Sequence, residues 1–356
     1  MIRNMGNYLF VLGRDKELSL LELMCYFNRK SINYRIKDKW ANFVSISLSN
    51  PNFDIEELGG TIKIAKIIFK GKDKKELTNF FNNLEIPNKN KVYYSVNNDL
   101  IKEILSKRFK EEHIKAYYKS NVNDPSSAIK LDLELINFKD YIAKVIQVSN
   151  PKLYKKRDEL RPRFDEKKVT SIRLAKILIN LSQAKKEIFD PFCGAGTILQ
   201  EALLMGLDVY GLDINIKEAR ENLNWLIKNF KIKNKIKLLQ ADARNLSNFV
   251  KNIEVAVTEP FLGPYLKDYP NYNIAKETIS KLELLYTRLF SELNKITNRI
   301  VIIFPVIPTK NRKKLNVSVK NILRNTTFKV ANYKLPILYK HKGSILEREI
   351  WIFDKN

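Results

Sequence analysis

Short apolar runs alternate with amphipathic segments along the second half of the chain. The runs predict strands at Glu187–Asp190, Asp208–Asp213, Ile236–Ala241, Ile253–Thr258 and Arg299–Phe304. Between them, apolar residues recur at helical spacing, as in Ile198–Leu204, Lys217–Phe230 and Ile274–Leu293. Strands that alternate with helices in this way predict an α/β fold with a doubly wound parallel sheet. The tail, Tyr333–Leu338 and Arg348–Phe353, predicts a closing antiparallel hairpin.

The first 150 residues show a different order, in which strands follow one another with few helices between them. Residues 1–70 predict a small α+β unit, and residues 71–150 predict a second one that ends at the turn signal Asn150-Pro151. Residues 151–170 are charged and irregular, which indicates a basic linker. Residues 171–356 then form the predicted α/β domain.

Positive charge is concentrated in two segments. The chain of 356 residues has 64 Lys and Arg against 39 Asp and Glu, a formal charge of +25. Residues 151–186 carry a net +8 and residues 310–342 a net +10. A bias of genome or habitat would spread the charge along the chain, whereas a phosphate-binding patch concentrates it. Nucleic acid is therefore the favoured partner, and a solvated basic face is the alternative.

The composition also narrows the class of protein. With 44% hydrophobic residues the chain has a substantial core, and it contains no apolar run of membrane-spanning length. Its first residues lack the pattern of a signal peptide, so we expect a cytoplasmic protein without membrane association. Two Cys and two His form neither a disulfide framework nor a metal site, and no metal is expected.

The sharpest local motif runs from Asp190 through Pro-Phe-Cys-Gly-Ala-Gly to Thr197, between a predicted strand and helix. Gly194 and Gly196 allow the backbone to approach a ligand at the carboxyl end of the strand. Asp190 adds a carboxylate for a cationic or hydroxylated ligand. A dinucleotide-binding loop is the alternative, but its third glycine is replaced by Leu199.

Two further aspartates end the next two predicted strands. Asp213 is suited to accept hydrogen bonds from ribose hydroxyls, and Asp242 from the amino group of adenine. Each alone is more often a helix cap. Together, at the strand ends of one sheet, they predict a nucleoside-binding site.

These residues resemble those of class I S-adenosylmethionine-dependent methyltransferases. The whole chain resembles THUMP-domain RNA methyltransferases that form N2-methylguanosine at position 10 of tRNA, through Tyr8–Gly13, Glu57–Lys66 and the Tyr154–Asp158 linker. The resemblance implies a ferredoxin-like unit at 1–70, a THUMP domain at 71–150, a Rossmann-like methyltransferase domain, S-adenosyl-L-methionine as cofactor and tRNA as partner. It implies that the cofactor is bound by Asp190, Phe192, Gly194, Gly196, Thr197, Asp213, Asp242 and Ala243. A small activator subunit is compatible with the resemblance.

The fourth strand of this domain ends in Glu259-Pro260-Phe261-Leu262, where the family typically has Asp-Pro-Pro-Tyr. An exocyclic amine is a poor nucleophile, so an acceptor side chain and a carbonyl must hold its hydrogens and direct its lone pair. We assign the catalytic positions to Glu259, Pro260 and Phe261. Glu259 and the Pro260 carbonyl would orient the amine, and Phe261 would stack on the extruded base.

Six basic residues near this domain are the predicted RNA contacts: Arg157, Arg161, Arg163, Lys310, Arg312 and Lys313. The predicted activity is methyl transfer to the N2 amine of a guanine in tRNA. One alternative is methylation of another nucleobase amine in rRNA or DNA. Another is an RNA-binding protein that has lost the chemistry, and a third is a nicotinamide oxidoreductase.

Overall fold

The computed structural model describes residues 5–50, 52–120, 122–165, 170–341 and 343–355. The chain divides into two compact units. The first comprises residues 1–20 and 31–157, and the second comprises residues 21–30 and 158–356. Within the described ranges, none of the helices has the length and apolar character needed to cross a bilayer.

Within the described residues, the first unit contains eight strands, three whole α-helices and parts of two more. In chain order the elements are β1 (Gly6–Leu12), α1 (Lys16–Arg29), β2 (Tyr34–Trp40), β3 (Phe43–Leu48), β4 (Thr61–Lys70), α2 (Lys74–Asn82), β5 (Lys91–Val96), α3 (Asp99–Glu111), β6 (Lys115–Tyr118), α4 (Pro125–Ala128), β7 (Leu133–Phe138), β8 (Tyr141–Val148) and α5 (Pro151–Leu160). Residues 21–29 of α1 and residues 158–160 of α5 belong to the second unit.

All eight strands form one sheet, in the order β2-β3-β1-β4-β8-β7-β5-β6. The two α+β units expected at residues 1–70 and 71–150 are therefore joined. The joint is β4, which pairs antiparallel with β8 from Lys63↔Val148 to Lys70↔Tyr141. Because β4 and β8 pair along their length, the boundary expected at residue 70 lies at the end of a strand within one sheet. It does not separate two compact units.

Helices α2 and α3 pack on the β5 and β7 end of this sheet. Phe81, Leu105 and Phe109 are fully or almost fully buried there. Asn98 caps α3 by accepting from the backbone N–H of Ile101. Apolar residues at helical spacing thus dock against the strands, as the sequence pattern predicts.

The second unit is a three-layer α/β domain. Its elements are α6 (Ile172–Ser182), β9 (Glu187–Asp190), α7 (Thr197–Leu204), β10 (Asp208–Asp213), α8 (Lys217–Asn229), β11 (Ile236–Gln240), β12 (Ala256–Thr258), α9 (Tyr272–Ile296), β13 (Arg299–Pro308), β14 (Lys314–Asn316), α10 (Val319–Leu323), β15 (Phe328–Val330), β16 (Ile337–Tyr339) and β17 (Glu347–Lys355). The strand order is β11-β10-β9-β12-β13-β17-β15, with β14 paired to β13 and β16 to β17.

This sheet is doubly wound. Strands β11, β10, β9, β12 and β13 are parallel, and β17 is antiparallel to β13. The strand order reverses between β9 and β12, so the carboxyl ends of these two strands flank the crevice where ligands of such sheets bind. The predicted fold of this domain is confirmed.

Aromatic packing fixes one side of that crevice. The ring of Tyr286 in α9 stacks on Phe304 of β13 at 5.0 Å between centroids, and Phe290 packs edge-on against Phe353 of β17. All four side chains are fully buried. Burial of each such ring contributes about 1.5–3 kcal/mol, which anchors α9 and β17 to the strands that end at the crevice.

Several predicted elements differ from those observed. Residues 151–160 form helix α5 where an irregular linker was expected, with Pro151 at its start, a position that proline favours. Strand β12 covers only Ala256–Thr258 of the predicted strand Ile253–Thr258.

Candidate active site

The side chain of Asp190, at the end of β9, lies at the centre of the crevice. Its Oδ1 accepts hydrogen bonds from the hydroxyl of Thr258, at 2.7 Å, and from the backbone N–H of Phe192, at 3.0 Å. Burial, with a smaller effect from the negative charges of Asp213 and Glu259, raises the pKa of Asp190 to about 7. A cation bound beside this carboxylate would favour its ionised form.

The glycine loop after β9 is held in shape by Asp213 of β10. The backbone N–H of Gly194 donates to Asp213 Oδ2 at 2.9 Å, and Oδ1 accepts from the N–H of Asn215. Gly194 and Gly196 have φ values of +47° and +78°, in the left-handed region that favours glycine. No atom lies within 4 Å of where a Cβ on Gly194 would stand, so this side of the loop is open.

Asn222, in the interior of α8, fastens the loop to the preceding segment. Its Nδ2 donates to the carbonyls of Ala195 and Arg163, and its Oδ1 accepts from the N–H of Arg163, each at 2.9 Å. The side chain is fully buried. Three satisfied hydrogen bonds from one buried amide fix the position of the loop relative to residue 163.

Arg161 was predicted to contact RNA at the surface, but its side chain is buried. Its side chain is 2% exposed, and its Nη1 donates to the hydroxyl of Thr197 at 2.9 Å. Its Nη2 is 3.1 Å from a carboxylate oxygen of Asp158, and its guanidinium lies over the ring of Phe164. Arg161 therefore positions the start of α7, and burial excludes the RNA contact expected of it.

The other predicted arginines lie in different places. Arg157 belongs to the first unit, and its guanidinium lies 5.9 Å from the ring centre of Tyr154. Arg163 is about half exposed and pairs with Glu221 of α8 at 2.5 Å. Arg163 remains accessible at the surface of the second unit.

The carboxylate of Asp242, after β11, forms an ion pair with Arg244. Both of its carboxylate oxygens accept from the guanidinium of Arg244, and Oδ1 also accepts from the N–H of Arg244. This side-chain pairing with Arg244 is the main reason that the pKa of Asp242 is lowered. The next residue, Ala243, is buried. For Asp242 to bind an amino group, that group must share or replace the Arg244 contact.

Glu259, at the end of β12, is held by two side chains. Its Oε1 accepts from Nε of Arg348, in β17, at 2.6 Å. Its Oε2 accepts from the hydroxyl of Thr170, also at 2.6 Å. The side chain is 11% exposed. Glu259 thus lies at the crevice as predicted, with one lone pair on each oxygen already used.

The residues after Glu259 differ in exposure. Pro260 is buried, whereas Phe261 is 57% exposed. The carbonyl of Phe261 accepts from the hydroxyl of Tyr286 at 2.7 Å, which ties the motif to the aromatic packing of α9. Further along the same loop, Tyr265 and Tyr269 are also exposed. These rings offer stacking surfaces beside the crevice.

The basic loop after β13 lies against the end of this aromatic segment. The backbone N–H of Lys310 donates to the carbonyl of Pro270, and the ammonium of Lys313 lies 5.6 Å from the ring centre of Tyr272. Lys310, Arg312 and Lys313 are all exposed. Accessible cations next to exposed rings form a surface suited to a nucleic-acid backbone.

The site contains neither a cysteine nucleophile nor a metal cluster within the described residues. Cys193 is buried, and that burial raises the pKa of its thiol far above the usual range. No group of three or more His, Cys, Asp or Glu side chains in the described ranges could hold a metal ion.

The crevice fits the adenosylated cofactor that the motifs imply. The open side of Gly194 leaves room for a ligand next to the backbone, and the oxygens of Asp213 keep acceptor capacity for hydroxyl groups. Asp190 is a buried carboxylate whose charge a cationic ligand would stabilise. Room, acceptors and a buried negative charge match the ribose and the cationic end of S-adenosylmethionine.

Four side chains that the sequence analysis did not assign contribute to the site. Thr258 holds Asp190, Asn222 holds the loop, and Thr170 and Arg348 hold Glu259. A signal existed for Asn222 alone, as a polar residue among the buried positions Ala219, Leu223 and Leu226 of α8. The other contacts join residues far apart in the chain.

Most of the second unit matches a known protein family. Residues 161–332 match the UPF0020 family, described as an RMKL-like methyltransferase domain. The chain is 30% identical over 129 residues, 35% of its length, to a Methanothermococcus thermolithotrophicus protein named "Probable tRNA (guanine(10)-N2)-dimethyltransferase", and covers 74% of that protein. It is 27% identical over 178 residues to the tRNA (guanine(10)-N2)-dimethyltransferase of Methanocaldococcus jannaschii, covering 46% of this chain and 50% of that one.

A solved structure shows the same fold over nearly the full length. The crystal structure of TrmN from Thermus thermophilus superposes with a TM-score of 0.53 at 13% identity, over 98% of this chain and 100% of that chain. The similarity supports a class I methyltransferase fold for the second unit. For three curated relatives, the chain spans half of their length or less.

Proposed function

The chain belongs to the family of proteins named as tRNA (guanine(10)-N2)-dimethyltransferases, and its residues 161–332 match the RMKL-like methyltransferase domain; we propose that it methylates the N2 amine of a guanine in tRNA. S-adenosyl-L-methionine is the proposed methyl donor, and position 10 is the proposed target because the relatives carry it in their names. The THUMP assignment of residues 71–150 is part of the same proposal.

One observation carries the proposal. The cofactor carboxylate Asp190 and the target carboxylate Glu259 end adjacent strands, and Thr258, which donates to Asp190, immediately precedes Glu259. A ligand at the glycine loop and a base at the Glu259 motif would therefore share one crevice. Such proximity is the main requirement for methyl transfer, in which the reacting atoms must be about 3–3.5 Å apart.

The residues of the glycine loop and the neighbouring strand ends would hold the cofactor. Asp213 would accept the ribose hydroxyls, Gly194 and Gly196 would let the backbone approach, and Asp190 would face the cationic end. Asn222 and Arg161 would act from behind, by fixing the loop and the first turn of α7. When bound, S-adenosylmethionine supplies an electrophilic methyl group on a sulfonium.

Glu259 and Pro260 would prepare the nucleophile. The lone pair of a guanine N2 amine is delocalised into the ring, so acceptors must hold the amine hydrogens and direct the lone pair. The second lone pairs of the Glu259 carboxylate and the Pro260 carbonyl are suited to this. The cofactor, held by Asp190 and Asp213, would supply the methyl group for the new C–N bond, and its sulfur would keep the electron pair of the bond that is lost. The amine proton then leaves to Glu259 or water.

The exposed rings and cations beside the motif would bind the RNA. Phe261 would stack on the base once it leaves its stem, a step that nucleobase-modifying enzymes require for paired targets. Lys310, Arg312 and Lys313 would contact phosphates next to that base. The proposed phosphate contacts and stacking surface would then lie on two loops that are joined by the hydrogen bond from Lys310 to Pro270.

The proposal is tested by nucleoside mass spectrometry. Unmodified tRNA is incubated with S-adenosylmethionine and the wild-type protein or its Glu259→Ala variant, and the digest is searched for methylated nucleosides. We expect N2-methylguanosine or its dimethylated form with the wild type, and a loss of at least about a hundredfold in rate for the variant, in line with the loss of a positioning group. Binding of the cofactor should be retained. Methylation of a different nucleoside, or an unaffected variant, would contradict the proposal.

A further inference from the structure

Glu259 of the target motif forms an ion pair with Arg348 of β17. Both side chains are mostly shielded from water, with 11% and 19% of their surface exposed. Only Nε of Arg348 donates to Glu259, at 2.6 Å. Its Nη1 is buried and donates to no partner in the described part of the chain. Buried donors are almost always paired, so an unpaired one at a binding site indicates an acceptor that arrives with a ligand.

Strand pairing fixes Arg348 in this position. Arg348 lies opposite Pro305 in the register of β17 and β13, close to the carboxyl ends of the parallel strands. The neighbouring carboxylates are committed elsewhere. Glu347 pairs with Lys314 and lies 3.8 Å from Lys340, and Glu349 accepts from Asn316 and Trp351. Arg348 is therefore directed to Glu259 and to the target side of the crevice.

A carboxylate next to a guanidinium is complementary to the Watson–Crick edge of guanine. That edge has two donors, N1–H and the N2 amine, followed by one acceptor, O6. A carboxylate can accept from the two donors, while an arginine fork donates to O6. Adenine has an acceptor at N1 and an amine at position 6. The carboxylate would therefore face an acceptor, and the guanidinium would face a donor.

We propose that Arg348 is a specificity-determining residue that reads O6 of the target guanine while Glu259 holds N1–H and the N2 amine. This inference rests on the proposed function and adds the recognition of the base. A phosphate-binding arginine would instead be exposed, as Arg312 is. The half-buried position of Arg348 beside the motif favours a contact with the base edge.

A substitution of one atom in the substrate isolates this contact. Two tRNA molecules are prepared by ligation, identical except that the nucleotide methylated by the wild type is guanine in one and 6-thioguanine in the other. Sulfur is a weaker acceptor than oxygen, and N1–H and the N2 amine are retained. The kcat/KM for N2 methylation of each RNA is measured with the wild type and with Arg348→Met.

We expect the wild type to prefer guanine by about tenfold, the effect of a hydrogen bond to a charged group. The Arg348→Met variant should lose that preference, so its ratio should fall about tenfold below that of the wild type. Arg348→Lys keeps the charge without the fork and should fall between the two. If the methionine variant fails to fold, the ratio of the lysine variant decides the matter.

Arg299→Met is the matched control. Arg299 pairs with Asp354 at 2.6 Å, across the same two strands but at the opposite end of β13. Its variant loses an equivalent ion pair away from the crevice and should keep the wild-type ratio. Any penalty from the larger size of sulfur cancels, because it affects every enzyme alike.

Two results would overturn the inference in different ways. If N2-methylguanine forms and all variants discriminate against 6-thioguanine equally, Arg348 does not read O6, although the proposed function stands. If the wild type forms no N2-methylguanine, the proposed function fails, and the guanine reading fails with it.

Discussion

Asp190 gives the methyltransferase unit a pH-dependent stability that can be measured directly. Burial raises its pKa from an ordinary value of 3.8 to about 7. An acid with a raised pKa stabilises the folded state while it is protonated. That stability is fully present below the unfolded pKa and is lost as the pH rises through the folded pKa. The loss therefore begins near pH 4 and is complete about one pH unit above pH 7.

The size of this stabilisation follows from the difference between the pKa of Asp190 in the unfolded and in the folded protein. The two pKa values are about three units apart, and each unit corresponds to about 1.4 kcal/mol, so the whole effect is on the order of 4 kcal/mol. The variant Asp190→Asn keeps the shape of the side chain and cannot titrate. Between pH 5 and pH 7 the free energy of unfolding of the wild type should fall by about 2 kcal/mol relative to the variant, because Asp190 is only half ionised at pH 7.

The assay is urea unfolding followed by tryptophan fluorescence. Of the three tryptophans, Trp225 and Trp351 lie in the second unit and Trp40 in the first. A Trp40→Phe background therefore makes the signal report on the methyltransferase unit. Titrations of other groups are common to both proteins and cancel in the difference. A difference between wild type and variant that stays constant from pH 5 to pH 7 would refute the burial argument.

Three further predictions follow from the described contacts. Affinity for S-adenosylmethionine should rise about tenfold from pH 6 to pH 8 as Asp190 ionises, and Asp190→Asn should be flat in calorimetric titrations; a pH-independent wild type would contradict this. Lys63→Met removes the cation from Glu134, whose pair is 5% and 8% exposed, and should destabilise the first unit by about 3–5 kcal/mol, whereas Lys63→Met with Glu134→Leu should recover much of the loss in urea unfolding. Replacing Lys310 and Lys313 by Ala should reduce the salt slope of tRNA binding by about 2, and an unchanged slope would remove them from the interface.

The sequence predicted the site where the signal is local. The glycine loop and the strand ends at Asp190 and Asp213 all occur within short segments whose pattern defines their place in the fold. The match of residues 161–332 to a methyltransferase family and the strand order confirm the predicted family and Rossmann-like fold of the second unit. These features depend on periodicity and on the geometry of parallel strands, which one sequence contains.

What the sequence did not predict depends on contacts between distant residues. Arg348 is 89 positions from Glu259, and Thr170 is equally far in the other direction. The sequence predicts Arg161 to be a surface cation, because neither the spacing of residues nor their charge indicates its burial or its hydrogen bond to Thr197. The roles of the site residues in binding cofactor and RNA stay predictions.

Inosine in place of the target guanine tests whether the N2 amine accepts the methyl group, because hypoxanthine, the base of inosine, differs from guanine only by lacking that amine. The guanine that the wild type methylates is replaced by inosine in an otherwise identical tRNA, and transfer of a labelled methyl group from S-adenosylmethionine is followed for both RNAs. We expect stoichiometric labelling of the guanine tRNA and none of the inosine tRNA, at RNA concentrations that saturate the protein with either one. Labelling of the inosine tRNA at the same nucleotide would show that an atom other than N2 accepts the methyl group, and the proposed N2 methylation would then be wrong.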